Sequence, residues 1–223
     1  MFKRLRLMLL FCLIVLIPLA ACQQEDSHKL IECPLEGLEW GMTWDQVVGQ
    51  LKLTDKELEE SNIDPKTVTY LPLAADRAGL PENFCNFPIT DDLNETGWNV
   101  VYLQFLQDKN MERYLYGVIL SIGGDYDTVV EHVNQTYGKS FIQDEKPYWV
   151  STNPNGKIAS RTFESYSEEI QSMLTGTDGK IDLEWRTLPY INFYLPQLGS
   201  EENNRYALNF TAELYVRIKL AQT

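Results

Sequence analysis

The hydrophobic residues in the first third of the chain recur at helical spacing behind two polar capping pairs. Thr43 stands three residues before Gln46, and Thr54 stands three residues before Glu57. A threonine that caps a helix and is answered by a glutamine or glutamate side chain forms a capping box. The pattern therefore predicts two short helices joined by a tight turn over about residues 44–61.

Alternating and β-branched stretches follow, and they predict strands. "WNVVYLQFL", residues 98–106, places apolar side chains on one face, and "LYGVILSI", residues 115–122, is rich in strand formers before Gly123-Gly124. Other stretches of this character predict strands at residues 68–73, 148–152, 157–163, 181–187, 191–195 and 205–220.

A further helical pattern begins at Asp125 or Asp127 and ends at Gly138, and a short helix is predicted within residues 165–174. The tetrapeptides "DQVV" at 45–48 and "DTVV" at 127–130 each open a helix, 82 residues apart. The predicted class is α+β, with a short helix pair packed on an antiparallel sheet, and two tandem helix-plus-sheet units are one arrangement of it. The predicted units cover residues 33–124 and 125–223, and a single domain that contains both is the alternative.

The N-terminus has the pattern of a secretory signal. Three basic residues precede a short apolar run over residues 7–19, which is less than the 20 or so residues of a membrane span. The run ends in Leu19-Ala20-Ala21-Cys22, which resembles the lipobox of bacterial lipoproteins. The resemblance implies a signal peptide at 1–21, a lipid on the Cys22 thiol and a tether at 22–32. Gln23 after Cys22 implies the outer membrane in a Gram-negative cell, and otherwise the outer face of the cell membrane.

Loss of the signal peptide makes the chain more acidic. The whole chain has 19 basic and 32 acidic residues, and residues 1–21 contain Lys3, Arg4 and Arg6 but no acid. The mature chain therefore has 16 basic residues and a net charge of −16. Such a surface repels nucleic acid and anionic headgroups, so nucleic acid is excluded as a partner.

Two cysteines remain in the mature chain besides Cys22. Cys33 precedes the first predicted helix, and Cys85 lies in "ENFCNF". An extracytoplasmic location permits a disulfide between them, and two free buried thiols are the equal alternative.

The helix-start sequence also carries a second resemblance. Gly41-Met42-Thr43 followed by Asp45-Gln46-Val47 resembles the opening of the SmpA/OmlA outer-membrane lipoproteins and of related β-lactamase-inhibitory-protein-like folds. The resemblance implies a helix, helix and antiparallel-strand order in a module that binds proteins and is not an enzyme. The Leu-Gly-x-Pro ending of that family is absent, because Leu51-Lys52-Leu53-Thr54 stands in its place.

Catalytic, metal and cofactor motifs are weak. The two histidines are His28 in the tether and His132 in a predicted helix, so a triad or a histidine zinc site would depend on His132. "STNPNGKIASRT", residues 151–162, follows calcium-loop order in part but lacks both key carboxylates. We expect no catalytic residue, no metal site and no cofactor.

These patterns lead to one expected function and two alternatives. We expect a lipid-anchored, extracytoplasmic envelope protein whose domain binds another envelope protein or a peptide. The first alternative is a cell-surface binding protein for a carbohydrate or nutrient, using aromatic stacking. The second is a hydrolase with an unrecognised pair of carboxylates.

Overall fold

The chain is described by a computed structural model. The description covers residues 29–60, 63–74, 77–78, 83–84, 87–88, 101–123, 125–152, 157, 168, 171–172, 184–194 and 205–222. The helices in these ranges are α1 (Trp44–Gln50), α2 (Asp55–Glu60), α3 (Tyr126–Tyr137) and α4 (Glu213–Ala221), with a 3₁₀ helix at Glu184–Thr187. The strands are β1 (Tyr70–Leu73), β2 (Asn83–Phe84), β3 (Phe87–Pro88), β4 (Val101–Gln107), β5 (Arg113–Gly123), β6 (Phe141–Gln143), β7 (Lys146–Val150), β8 (Tyr190–Tyr194) and β9 (Arg205–Thr211).

An antiparallel sheet dominates the described part of the chain. Its seven strands lie in the order β1-β4-β5-β9-β8-β7-β6, and β2 pairs with β3 separately. The mixed helix-and-sheet class predicted from the sequence is thus confirmed. The strands on both sides of residue 124 share this sheet, because β5 pairs with β9.

One face of the sheet carries the core. Cross-strand neighbours on six successive strands form an apolar ladder, and each of its side chains is at most 1% exposed. The ladder consists of Leu71, Leu103, Val118, Phe210, Ile191 and Trp149. Helices α1 and α3 cover this face, since Trp44 contacts Phe105 at a ring-centroid distance of 5.2 Å and Tyr137 contacts Phe210 at 5.7 Å.

A β-bulge between β4 and β5 sets which side chains of β5 face the core. Gln104 pairs with Gly117, but the next residue, Phe105, pairs with Leu115, so Tyr116 is skipped. One extra residue in a strand reverses the alternation beyond it. Leu115 is therefore returned to the core face with Phe105 and is completely buried.

The predicted helix starts are confirmed at the level of atoms. The Thr43 N–H donates to Gln46 Oε1 at 2.8 Å, and the Gln46 N–H donates back to Thr43 Oγ1 at 3.3 Å. In the second box, the Thr54 N–H donates to the Glu57 carboxylate at 2.7 Å, which together with the Thr54 hydroxyl lowers the pKa of Glu57. Asp125 caps α3 through the Thr128 N–H, and Gly138 ends that helix.

Two of the predicted strands are wrong in part. The strand predicted over residues 205–220 ends at Thr211, and α4 follows. Apolar residues at 214, 216, 218 and 220 alternate as in a strand, and the N-terminus of α4 has no side-chain cap, so the sequence lacks a helix-start signal. Residues 184–187 of the strand predicted at 181–187 form the 3₁₀ helix instead.

Several predictions fall outside the described residues, wholly or in part. The strand at 157–163 is described only at residue 157, whereas residues 168 and 171–172 of the predicted 165–174 helix are helical. The short edge strand β6 was not predicted. It forms a hairpin with β7 through Asp144 and Glu145, whose φ angles of 51° and 64° give the twist that two-residue hairpin turns require.

Candidate functional site at the N-terminal strap

The first described segment, residues 29–43, lies across the ends of the central strands, and we call it the strap. It begins beside the end of β7, where the Lys29 N–H donates to the Thr152 carbonyl at 2.6 Å. It ends beside the start of β5, where Gly41 and Met42 exchange main-chain hydrogen bonds with Leu115, both at 2.8 Å. The strap thus connects the two halves of the sheet at one end. Residues 29–32, predicted as tether, belong to it.

Gly41 is required at the end of the strap. Its φ of +88° lies in the region that strains residues with a Cβ atom. This geometry explains the glycine of the Gly-Met-Thr sequence. It turns the chain from the strap into the Thr43 cap of α1.

Two buried polar groups hold the strap in place. The Ser151 hydroxyl accepts a hydrogen bond from the Ile31 N–H at 3.1 Å and donates to the Pro189 carbonyl at 2.6 Å. The Trp40 indole N–H donates to the Ile31 carbonyl at 2.9 Å. Both main-chain groups of Ile31 are therefore satisfied, so the strap is a fixed part of the domain.

Two cavities adjoin the strap. The larger, of about 880 Å³, lies between residues 30–40 and α4, where Tyr215 and Lys219 line it. The smaller, of about 310 Å³, lies between residues 29–34 and the last turn of α3, where Thr136 and Tyr137 line it. Small-molecule sites in proteins occupy about 300–1,000 Å³, and the volumes of both cavities fall within this range.

Acidic residues outnumber basic residues around the larger cavity. Glu32, Glu36 and Glu39 of the strap are exposed, and Lys219 of α4 is an exposed residue of opposite charge in the lining. Leu35, Leu38 and Trp40 are buried beneath them. The cavity therefore combines an apolar floor with a mainly negative rim.

Cys33 lines both cavities and carries a free thiol in the structure. The side chain is half-buried, and removal of the thiolate from water raises its pKa to about 12, against a smaller opposing effect of the Leu35 N–H. A thiol of this pKa is protonated at neutral pH and is a poor nucleophile. Cys85 lies outside the described residues, so its pairing with Cys33 stays a prediction.

The structure describes some of the other residues that the sequence analysis singled out. Cys22 and His28 lie outside the described residues, whereas His132 lies half-buried on α3. Trp40, Trp44 and Trp149 are buried, so none of these three tryptophans offers an aromatic stacking surface.

Within the described ranges, no three His, Cys, Asp or Glu residues are grouped to hold a metal ion. None of the described helices has the length and hydrophobicity to cross a membrane.

The sequence did not indicate the strap cavities. The strap forms no helix or strand, and Tyr215 and Lys219 lie in the helix that the sequence predicted as a strand. Glu32, Glu36 and Glu39 were the available signal, as acidic residues spaced among buried apolar ones. Comparison of the chain with protein-family models, curated proteins and solved structures gives no match.

Proposed function

We propose that this protein is a lipid-anchored envelope lipoprotein whose domain binds a peptide or protein segment in the larger strap cavity. The anchor is the lipid on Cys22, and the location is extracytoplasmic, at the outer membrane in a Gram-negative cell. The observation that carries the binding role is the cavity of about 880 Å³ between the strap and α4. Its volume and its apolar floor with polar groups at the rim are those of a ligand site.

The charge of the cavity suggests the kind of segment. Three exposed carboxylates stand on the strap against Lys219 on α4. Charge complementarity at a rim increases the rate of association and discriminates between partners. A segment with apolar side chains flanked by lysine or arginine fits this arrangement, and the role requires no catalytic group or cofactor.

The tandem organisation is part of the proposal. We infer two helix-plus-sheet units, with α1 and α2 opening the first and α3 opening the second, as in the SmpA/OmlA-like and β-lactamase-inhibitory-protein-like order. Val47 and Val129, the equivalent positions of the two tetrapeptides, are both completely buried. Leu51 and Val133, one helical turn further on, are buried as well. Burial at this spacing is common to amphipathic helices, so the support for a repeat is the shared order of a helix followed by strands.

Site-specific photo-crosslinking in intact cells tests the binding role. A benzophenone amino acid at Glu36 lies on the cavity rim, and the same residue at Gln135 lies on the exposed face of α3 as the matched control. We expect a discrete protein adduct from position 36 and none from position 135. Reversal of the rim charge by E32K, E36K and E39K, with the probe moved to Tyr215, is expected to reduce the adduct. Equal adduct patterns at positions 36 and 135 would contradict the proposal.

A further inference from the structure

The sheet face opposite α1 and α3 has an unusual composition at its centre. Two cross-strand rows run over β4, β5, β9 and β8 on this face, and none of their eight residues is charged. The equivalent rows on the core face are entirely apolar. The first row is Tyr102, Ile119, Asn209 and Asn192, and the second is Gln104, Gly117, Thr211 and Tyr190. We call these eight residues the polar face.

Gln104 is one of four buried residues of the polar face, with Gly117, Ile119 and Thr211. Its side chain is 5% exposed, and its Oε1 is buried without a hydrogen-bond partner. A solvated outer face would leave such an amide in water, whereas a buried carbonyl without a partner costs about 1–3 kcal/mol. A buried carbonyl without a protein partner marks a position at which water or a ligand supplies the missing donor.

Gly117 provides the space in which this amide lies. A Cβ atom at position 117 would stand 2.2 Å from Gln104 Oε1, so only glycine admits the amide there. Because packing and not hydrogen bonding holds this carbonyl oxygen, a bound molecule can reorient it without breaking an internal bond.

A second buried oxygen without a partner lies nearby on the same face. The Asn209 Nδ2 donates to Asn192 Oδ1 at 3.1 Å, which leaves Asn209 Oδ1 buried and unpaired. Asn209 lies two residues from Thr211, the cross-strand partner of Gly117. Gly117 and Asn209 are therefore diagonal neighbours on adjacent strands, and such positions are typically about 7–8 Å apart. The polar face thus contains two unpaired acceptors within the span of one small molecule.

We propose that the polar face binds a neutral, hydroxyl-rich small molecule of the sugar class. Its hydroxyl groups donate to Gln104 Oε1 and Asn209 Oδ1, and the half-buried Tyr102 and Tyr190 pack against its carbon skeleton. Two acceptors require donors, which excludes an anionic ligand that offers only acceptors. The rows contain no carboxylate, and the Glu213 carboxylate near Tyr190 is paired with Arg217, so the rows lack the charge that a divalent cation needs.

NMR spectroscopy of the full chain tests this site. The side-chain amide resonances of Gln104 and Asn209 are followed in a zwitterionic detergent, which carries no sugar. D-glucose, N-acetyl-D-glucosamine and cellobiose are the probes, each added to millimolar concentration. We expect at least one sugar to shift both resonances in a saturable manner, while the amide of Gln143 on the edge strand β6 stays unchanged. The proposal is overturned if no sugar shifts them, or if Gln143 shifts equally.

A variant separates binding from stability. Gln104→Met keeps the volume and removes the unpaired oxygen, so it should stabilise the free protein and weaken sugar binding at least about tenfold. Gln143→Met is the matched control and should leave both quantities unchanged. Unchanged sugar binding in Gln104→Met would show that the buried amide has only a structural role, which overturns the proposal. If Gln104→Met fails to fold, the titration of the natural chain still decides between the outcomes.

Discussion

Ser151 is separated from Ile31 by 120 residues, yet its hydroxyl accepts the Ile31 N–H at 3.1 Å and donates to the Pro189 carbonyl at 2.6 Å. One buried hydroxyl, 1% exposed, thus joins the strap, the end of β7 and the start of β8. The strap cavities depend on this junction, because Ile31 lines both of them.

Ser151→Ala is expected to destabilise the protein by about 1–3 kcal/mol, since it leaves a buried N–H and a buried carbonyl without partners. Denaturant unfolding measures the change, and hydrogen exchange of the Ile31 amide should accelerate. Ser140→Ala is the control, because Ser140 is part-buried and contributes its main-chain N–H and not its hydroxyl to a hydrogen bond. An unchanged Ile31 exchange rate in Ser151→Ala would show that the junction does not hold the strap.

Asn134 joins α3 to the sheet. Its Oδ1 accepts the Trp149 indole N–H at 3.0 Å and the Ser140 N–H at 2.9 Å. Asn134→Ala leaves both donors unpaired and is expected to cost about 1–3 kcal/mol for each donor that water cannot reach. Unfolding followed by near-ultraviolet circular dichroism measures this loss. Gln135→Ala, which removes only an exposed contact with Glu131, should change stability by less than about 0.5 kcal/mol. Equal losses in the two variants would contradict this role.

The Cys33 thiol should lose its proton at a higher pH than an ordinary cysteine does. Burial raises its pKa to about 12, whereas a cysteine in an unfolded chain titrates near about 8.5. The group therefore contributes stability that is fully present below about pH 8.5 and is lost as the pH rises towards 12. Relative to Cys33→Ala, the natural chain should lose stability between about pH 8.5 and about pH 11. If the difference in unfolding free energy between the natural chain and Cys33→Ala stays constant over this pH range, the raised pKa of Cys33 is contradicted.

Alkylation gives an independent measurement on Cys33. Iodoacetamide should modify Cys33 slowly in the folded protein at neutral pH and quickly in denaturant, because the thiolate reacts and the thiol does not. Intact mass before and after reduction reveals whether Cys33 and Cys85 pair in the cell. A disulfide would block both cysteines until reduction, and a free pair would react in denaturant without it.

Replacement of Cys22 should abolish lipid attachment, because its thiol is the group that the lipobox resemblance assigns to the lipid. In cells given radiolabelled palmitate, Cys22→Ala is expected to lose the label and to accumulate as the uncleaved precursor. Cys33→Ala is the matched control and should keep the label. Normal labelling of Cys22→Ala would refute the lipoprotein assignment.

The elements that the sequence predicted best are those governed by neighbouring residues. The capping pairs Thr43–Gln46 and Thr54–Glu57 set the starts of α1 and α2, and both capping boxes form as predicted. Asp125 and Gly138 delimit α3 in the same way. Helix α4 was missed, since it lacks a cap and its apolar residues alternate as in a strand. It is stabilised by tertiary contacts, including the buried Val216.

The sequence by itself determined the helix starts and most of the strands, because each of these depends on residues close together in the chain. It also determined the acidic charge, which is a sum over all residues. The N-terminal processing stays a prediction. Tertiary structure alone decided that Leu115 faces the core, that Ser151 holds the strap, and that Gln104 lies buried over Gly117. Each of these facts depends on which strands become neighbours. The β5–β9 pairing, which joins the two predicted units, brings together residues about 90 positions apart. Local periodicity and capping contain no record of such a pairing.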